Sequence, residues 1–272
     1  AVLGLYGISG WCIGMQNSRF PMYVAITQNI VNILASLLLV YGFGMKIEGV
    51  AIGTLVAQYS GLLMAILLWG SHFKQRLTYV HLRTLLNQEA IRRFFQVNRD
   101  IFLRTLCLVA VTMYFTSAGA AQGEVVLAVN TLLMHFFTFF SYIMDGFAYA
   151  GEALAGKHIG ANDRPALRQT VHQLFVWGIG LSIAFTLLYG IGGKAFLGLL
   201  TNEQSVIAAS TTYFFWILAI PLAGFAAFLY DGIFIGATAT GLMLRAMFVA
   251  SVAFFGIYFG CRELIGNHAL WL

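Results

Sequence analysis

The sequence predicts an all-α integral membrane protein of about eight transmembrane helices, and three observations predict it. The chain of 272 residues is 60% hydrophobic and has a mean hydropathy of +0.83, whereas soluble domains run near half apolar. Only 9% of its residues are charged, against about a quarter in a soluble domain. Those charges lie between long runs that hold no Asp, Glu, Lys or Arg. Crossing a bilayer as a helix takes about 20 residues, and most of the runs are long enough. Their continuous apolarity argues against a transmembrane barrel, whose strands alternate over about 10 residues.

The elements follow in order. Helix 1–17 is an uncharged stretch at the chain start. The chain opens without Met or a charged leader and ends on the apolar Gly266–Leu272, so a fragment missing both ends is expected. After the turn Gln16-Asn17-Ser18-Arg19, Pro21 fits the first turn of helix 21–43, where its missing N–H costs nothing. Helix 49–71 is the charge-free run Gly49–Ser71. The longest polar stretch, His72–Arg99, then divides the chain. Within it, HLRTLLNQEAIRRFFQV reads either as an amphipathic helix on the membrane surface or as a solvated basic connector. Helices 99–120, 125–155 and 168–193 follow the runs Thr105–Gly123, Val125–Met144 and Gln169–Gly193. Helix 206–236 contains Pro221, which frees a backbone carbonyl and allows a bend. Helix 240–260 carries the last run, Ala246–Cys261.

The net charge of +5 is a matter of topology rather than of nucleic-acid binding. Lys74, Arg76, Arg83, Arg92, Arg93 and Arg99 share one segment, and Lys157, Arg164 and Arg168 another. Arg19 and Arg245 fall in the two remaining loops of that side, while the opposite loops hold only Lys46, Lys194 and Arg262. Positive-inside bias makes loops 15–20, 72–98, 156–168 and 237–245 cytoplasmic. Cys12, Cys107 and Cys261 have no metal or redox spacing, and the six histidines form no ligand cluster. No metal and no cofactor are expected. An embedded enzyme would need a nucleophile–base or metal cluster, and His135 and His172 stand without one.

Acids deep in apolar helices are the best guide to function, because they are costly there and face a protein interior or a watery cavity. Asp145-Gly146 and Asp231-Gly232 are two such pairs. At 100° per residue, Asn130, Met134, Ser141, Asp145, Ala148 and Glu152 share one stripe of their helix, with Thr138 at its margin. The stripe reads as a cavity wall or as polar groups bonded to neighbouring helices; Glu152, near the cytoplasmic end, could simply be hydrated. Asp231 follows Tyr230 and lies ten residues after Pro221. It reads either as a coupling acid on a bendable helix or as a structural acid paired with Arg104 or bonded to Tyr230. Asp100 and Arg104, spaced i, i+4, read as a local ion pair; Arg104 could instead reach inward to Asp145 or Asp231. Phe136, Phe139, Phe147, Phe228 and Tyr230 are candidates to line a pocket for flat cations. Trp11, Trp69 and Trp177 fit interfacial belts. A short echo pairs Gly10-Trp-Cys-Ile-Gly14 with Gly232-Ile-Phe-Ile-Gly236, as internal repeats in transporters do.

The blocks NRDIFLRTLCLVAV (98–111), AVNTLLMHFFTF (128–139), DGFAYAGEALAGKHIGA (145–161), LYDGIFIGAT (229–238) and GNHALWL (266–272), with GMQNSRFPMYVAITQNIVNI (14–33), carry a resemblance. The chain resembles the multidrug and toxic compound extrusion (MATE) transporters, in their DNA-damage-inducible protein F branch, over essentially its whole length. The resemblance implies a twelve-helix, two-lobe fold of which this chain would be helices four to eleven and the start of twelve. Residues 1–71 would belong to the first lobe, 72–98 would be the basic connector, and 99–272 the second lobe. It implies a monomeric inner-membrane antiporter that exports hydrophobic organic cations or toxic compounds in exchange for H⁺ or Na⁺. Asp231 falls at the Asp-Gly of helix ten, where the family uses an acid for coupling, and Asp145 at that of helix eight. Members that bind Na⁺ in the second lobe also use a Glu on helix seven; Arg104 and Thr105 stand there instead, which favours protons. Ser36 stands where other members have a helix-five Asp, although Asn32 remains. Asp231, Asp145, Glu152, Asn130, Ser141, Tyr230, Arg104 and Asn32 are therefore the candidate site residues. Rival readings are a lipid-linked precursor flippase, whose cavity would need more arginine, and a fragment inactive by itself.

Overall fold

The computed structural model describes residues 1–73 and 87–272 and, for Lys194, the backbone alone. Among these residues the chain forms eight α-helices and no strand: α1 (Val2–Gly14), α2 (Arg19–Leu37), α3 (Ile47–Phe73), α4 (Gln88–Ala120), α5 (Glu124–Gly160), α6 (Arg164–Leu200), α7 (Gln204–Gly236) and α8 (Thr240–Ile265). A π-helical stretch, Leu38–Gly42, prolongs α2, and a 3₁₀ turn, Gly266–Leu270, follows α8. Seven of the helices are long and apolar enough to cross a membrane. The eighth, α1, has 13 residues, or about 20 Å at 1.5 Å per residue. The chain is a multi-pass membrane protein, as its composition predicts.

Most helices run past the charges that were expected to end them. α4 begins at Gln88 rather than 99, so the described part of the amphipathic segment, from Gln88 on, is the start of a membrane-length helix. No Gly or Pro interrupts it before Gly119, and Glu89 sits favourably in its first turn. Residues 81–86, and with them Arg83, lie outside the described residues, as do Lys74 and Arg76. The loop expected at 156–168 shrinks to 161–163, and that at 237–245 to 237–239. α6 starts early because Asp163 accepts a bond from the Ala166 N–H at 3.0 Å and Pro165 lies in the first turn.

Three interhelical turns are built alike. Gln16, Asn162 and Thr238 have φ of 60°, 54° and 53°. In each turn this residue's N–H donates three residues back and the next N–H five back: Thr238 to Ile235 at 2.9 Å and Ala239 to Phe234 at 2.8 Å, for example. This is the Schellman closure of a helix C-terminus. Each turn follows the pattern Gly-x-x-Ile-Gly: Gly10–Gly14, Gly156-Lys-His-Ile-Gly160 and Gly232–Gly236. The echo seen in the sequence thus has a third member, overlooked because lysine and histidine fill its variable positions.

The chain divides into two compact units, Ala1–Ile91 and Arg92–Leu272. In the first, Leu5, Val24 and Ala65 form the core of α1, α2 and α3. In the second, α5, α6 and α7 enclose a core with Phe136, Phe140, Leu133, Met144, Ile217 and Leu229 at its centre. Helix association in lipid rests on such close packing, since lipid tails are as apolar as the side chains. Phe115, Ala118, Tyr258, Ala269 and Leu270 form a second cluster that ties α4 to α8 and the 3₁₀ turn.

Candidate functional site

The site is set by the contact of α5 with α7. A Cβ built on Gly232 would run into the carbonyl of Ala148, and one on Gly236 into that of Glu152. The two glycines therefore let parallel helices touch backbone to backbone. That crossing brings the acid-bearing turns of both helices to one level, with Asp145 one turn before Ala148 and Asp231 next to Gly232. Gly146, the partner of Asp145 in sequence, faces open space. The two Asp-Gly pairs are thus alike in sequence only.

Arg104 reaches from α4 to this level. Its Nη2 lies 2.7 Å from Asp231 Oδ1, and the two side chains are 23% and 26% exposed. The expected i, i+4 pair of Arg104 with Asp100 does not form. Asp100 is buried and pairs with Arg99 at 3.0 Å, while its other oxygen accepts from the Thr240 hydroxyl at 3.2 Å. Asp100 thereby fastens α4 to the first turn of α8. Arg93 adds a second tie, donating to the Thr238 hydroxyl at 2.9 Å.

Arg104 and Asp231 line a cavity of about 340 Å³ between α4, α7 and α8. Its other walls are Tyr230 and Phe234 of α7, Met243 and Met247 of α8, and alanines. Tyr230 stacks on Phe234 at 5.8 Å between ring centroids and meets Phe175 of α6 at 5.1 Å. The carboxylate–guanidinium pair thus lies in a wall of aromatic rings and thioethers, groups that can contact a flat organic cation. Of the aromatic candidates from the sequence, only Tyr230 lines this cavity; Phe136 is wholly buried in the core. Phe234, Met243 and Met247 escaped notice because apolar residues at helical spacing look like packing.

Asp145 is half-buried and outside the lining of that cavity. It is still within electrostatic reach of Arg104 and of Asp231. Among the described residues it makes neither an ion pair nor a hydrogen bond. Glu152, half-buried one turn beyond Ala148, is within reach of Asp231. Two carboxylates, Asp145 and Asp231, thus share the Arg104 guanidinium, with Glu152 next to Asp231.

The rest of the α5 stripe holds the bundle together. Asn130 is 2% exposed and trades amide bonds with Asn267 at 2.8 and 2.9 Å. Its Oδ1 also accepts from Trp271 Nε1 at 3.0 Å. Ser141 donates to the Thr138 carbonyl at 2.8 Å. In the first unit, Asn32 donates to the Thr54 hydroxyl at 3.2 Å, joining α2 to α3. Ser36 lies under Gly53, whose added Cβ would sit 2.5 Å from the serine hydroxyl. Among the described residues that hydroxyl is buried without a hydrogen-bond partner.

Comparison with known proteins agrees with this architecture. The family model MatE matches residues 101–260. DNA damage-inducible protein F of Escherichia coli K12 is 35% identical over 271 residues, covering 97% of this chain and 57% of that protein. Among solved structures, a mutant of the Vibrio cholerae MATE transporter VcmN superposes with a TM-score of 0.82 at 17% identity, over 98% of this chain and 60% of that one. An outward-facing multidrug resistance MATE family transporter gives 0.78 at 19% identity, over 97% and 60%. The chain therefore spans little more than half the length of these relatives.

Proposed function

The chain belongs to the MatE family, and on that premise we propose that it serves export of hydrophobic organic cations in exchange for protons, by alternating access, as a transporter rather than an enzyme. The observation that carries this reading is Asp231, held by Arg104 at 2.7 Å in the wall of an apolar, aromatic cavity. Protonation from outside neutralises Asp231 and lowers the cavity's hold on a cation; deprotonation inside restores it. Since the same acid serves proton and substrate in turn, the two move in opposite directions. The excess of carboxylates over guanidinium supports a cationic substrate against the anionic headgroups that a flippase carries. A guanidinium on Asp231, where Na⁺ would need oxygen ligands, supports protons as the coupling ion. Its setting is the bacterial inner membrane, as a monomer, with the three alike turns and residues 72–98 on the cytoplasmic side, in keeping with their lysines and arginines. In proteoliposomes carrying the transporter, Asp231→Asn should abolish both ethidium export and the proton flux it drives. Unchanged rates would rule out Asp231 as the coupling acid.

A further inference from the structure

We propose that Arg104 is a tethered occupant of the cation site, held on Asp231 while the cavity is empty and displaced towards Asp145 when an organic cation binds. The inference rests on the preceding assignment of Asp231 and adds to it a built-in competitor and a second acid that receives it.

The geometry supplies each part. The Arg104 guanidinium sits on Asp231, among the described residues the one acid that lines the cavity, at 2.7 Å, and so fills the place a substrate cation would take. It is not locked there: both side chains remain about a quarter exposed. A destination exists in Asp145, which is within electrostatic reach of Arg104 and makes no ion pair or hydrogen bond among the described residues. The other groups near the pair are Glu152 on α5 and Tyr230 on α7, while α8 contributes methionine and alanine to the cavity and α6 contributes Phe175 against Tyr230. Among the described residues no second cationic group lines the cavity.

A ligand that replaces a guanidinium must offer comparable charge and enough apolar contact to win the exchange. Tyr230, Phe234, Met243 and Met247 supply that contact to a flat, delocalised monocation. A neutral compound leaves the pair closed, and an anion meets the surrounding carboxylates. The tether also sets affinity, because only molecules with the pair open can bind. An ion pair closed about nine-tenths of the time leaves about a tenth of them competent and weakens apparent binding about tenfold.

The test is ethidium binding to the purified protein in lipid nanodiscs at neutral pH, read by its fluorescence, with thermal melting to confirm folding. Arg104→Gln should tighten binding by about tenfold. Asp145→Asn should weaken binding in the wild-type background and have no effect in Arg104→Gln, because no arginine is left to receive. Arg104→Lys should stay near wild type, which a loss of mere packing would not explain. Unchanged or weaker binding in Arg104→Gln overturns the tethered occupant, and an Asp145→Asn effect that persists in Arg104→Gln overturns Asp145 as its receiver. Asp231→Asn separates the two levels. If it binds like wild type, the assignment of Asp231 itself fails. If it loses binding while Arg104→Gln gains none, the inference about Arg104 fails alone.

Discussion

Truncating Asn130 should show what a polar side chain does in this bundle. Its amide exchanges two bonds with Asn267 and accepts a third from Trp271. Asn130→Ala leaves the Asn267 amide and the Trp271 N–H buried without it, at a cost of about 1–3 kcal/mol. The melting temperature in detergent should fall, and the Asn130→Ala and Asn267→Ala effects should be far from additive. Ethidium affinity should hold, because Asn130 lies away from the cavity. At this scale the sequence was legible in residue type and not in pairing. The stripe from Asn130 to Glu152 was visible, yet half of it closes on Asn267, Trp271 or its own helix backbone. An asparagine facing a cavity and one facing an asparagine more than a hundred residues away look the same from local spacing. Arg104 was ambiguous for the same reason: a local i+4 pair with Asp100 and a pair with the distant Asp231 were both open, and local spacing could not decide between them.

Helix extents were legible in outline, since charge-free runs locate every helix of the described residues. Their ends were not. Lysines and arginines at 157, 164, 168 and 245 ride on helix termini that project beyond the apolar core, so charge marks the membrane boundary and not the helix boundary. Helix contacts were hidden further. Gly146 and Gly232 each follow an aspartate, but only Gly232 meets another backbone. Gly232→Ala should force α5 and α7 apart and cost on the order of 1–3 kcal/mol or more, as overpacking does. Gly146→Ala adds a methyl to open space in a helix interior and should stabilise by roughly 0.5–1 kcal/mol. Melting curves of the two variants check the contrast. Because the same crossing positions Asp231, Gly232→Ala should also weaken ethidium binding, whereas Gly146→Ala should not.

For the molecule as a whole, membrane insertion, helical class and family were readable from composition and a few motif blocks, because the bilayer permits so few solutions. The coupling chemistry was not, because it depends on which distant charges share a cavity. In the mechanism proposed above, a proton and an organic cation compete for Asp231. Competition has a definite sign: a proton on Asp231 removes the charge that holds the cation, so affinity falls as pH falls. The direct measurement is the ethidium dissociation constant in nanodiscs across roughly pH 5–8, for wild type and Asp231→Asn. Wild-type binding should weaken towards acid, approaching about tenfold per pH unit once Asp231 is largely protonated, while Asp231→Asn should bind weakly with no such slope. Equal pH profiles for the two proteins would contradict that mechanism.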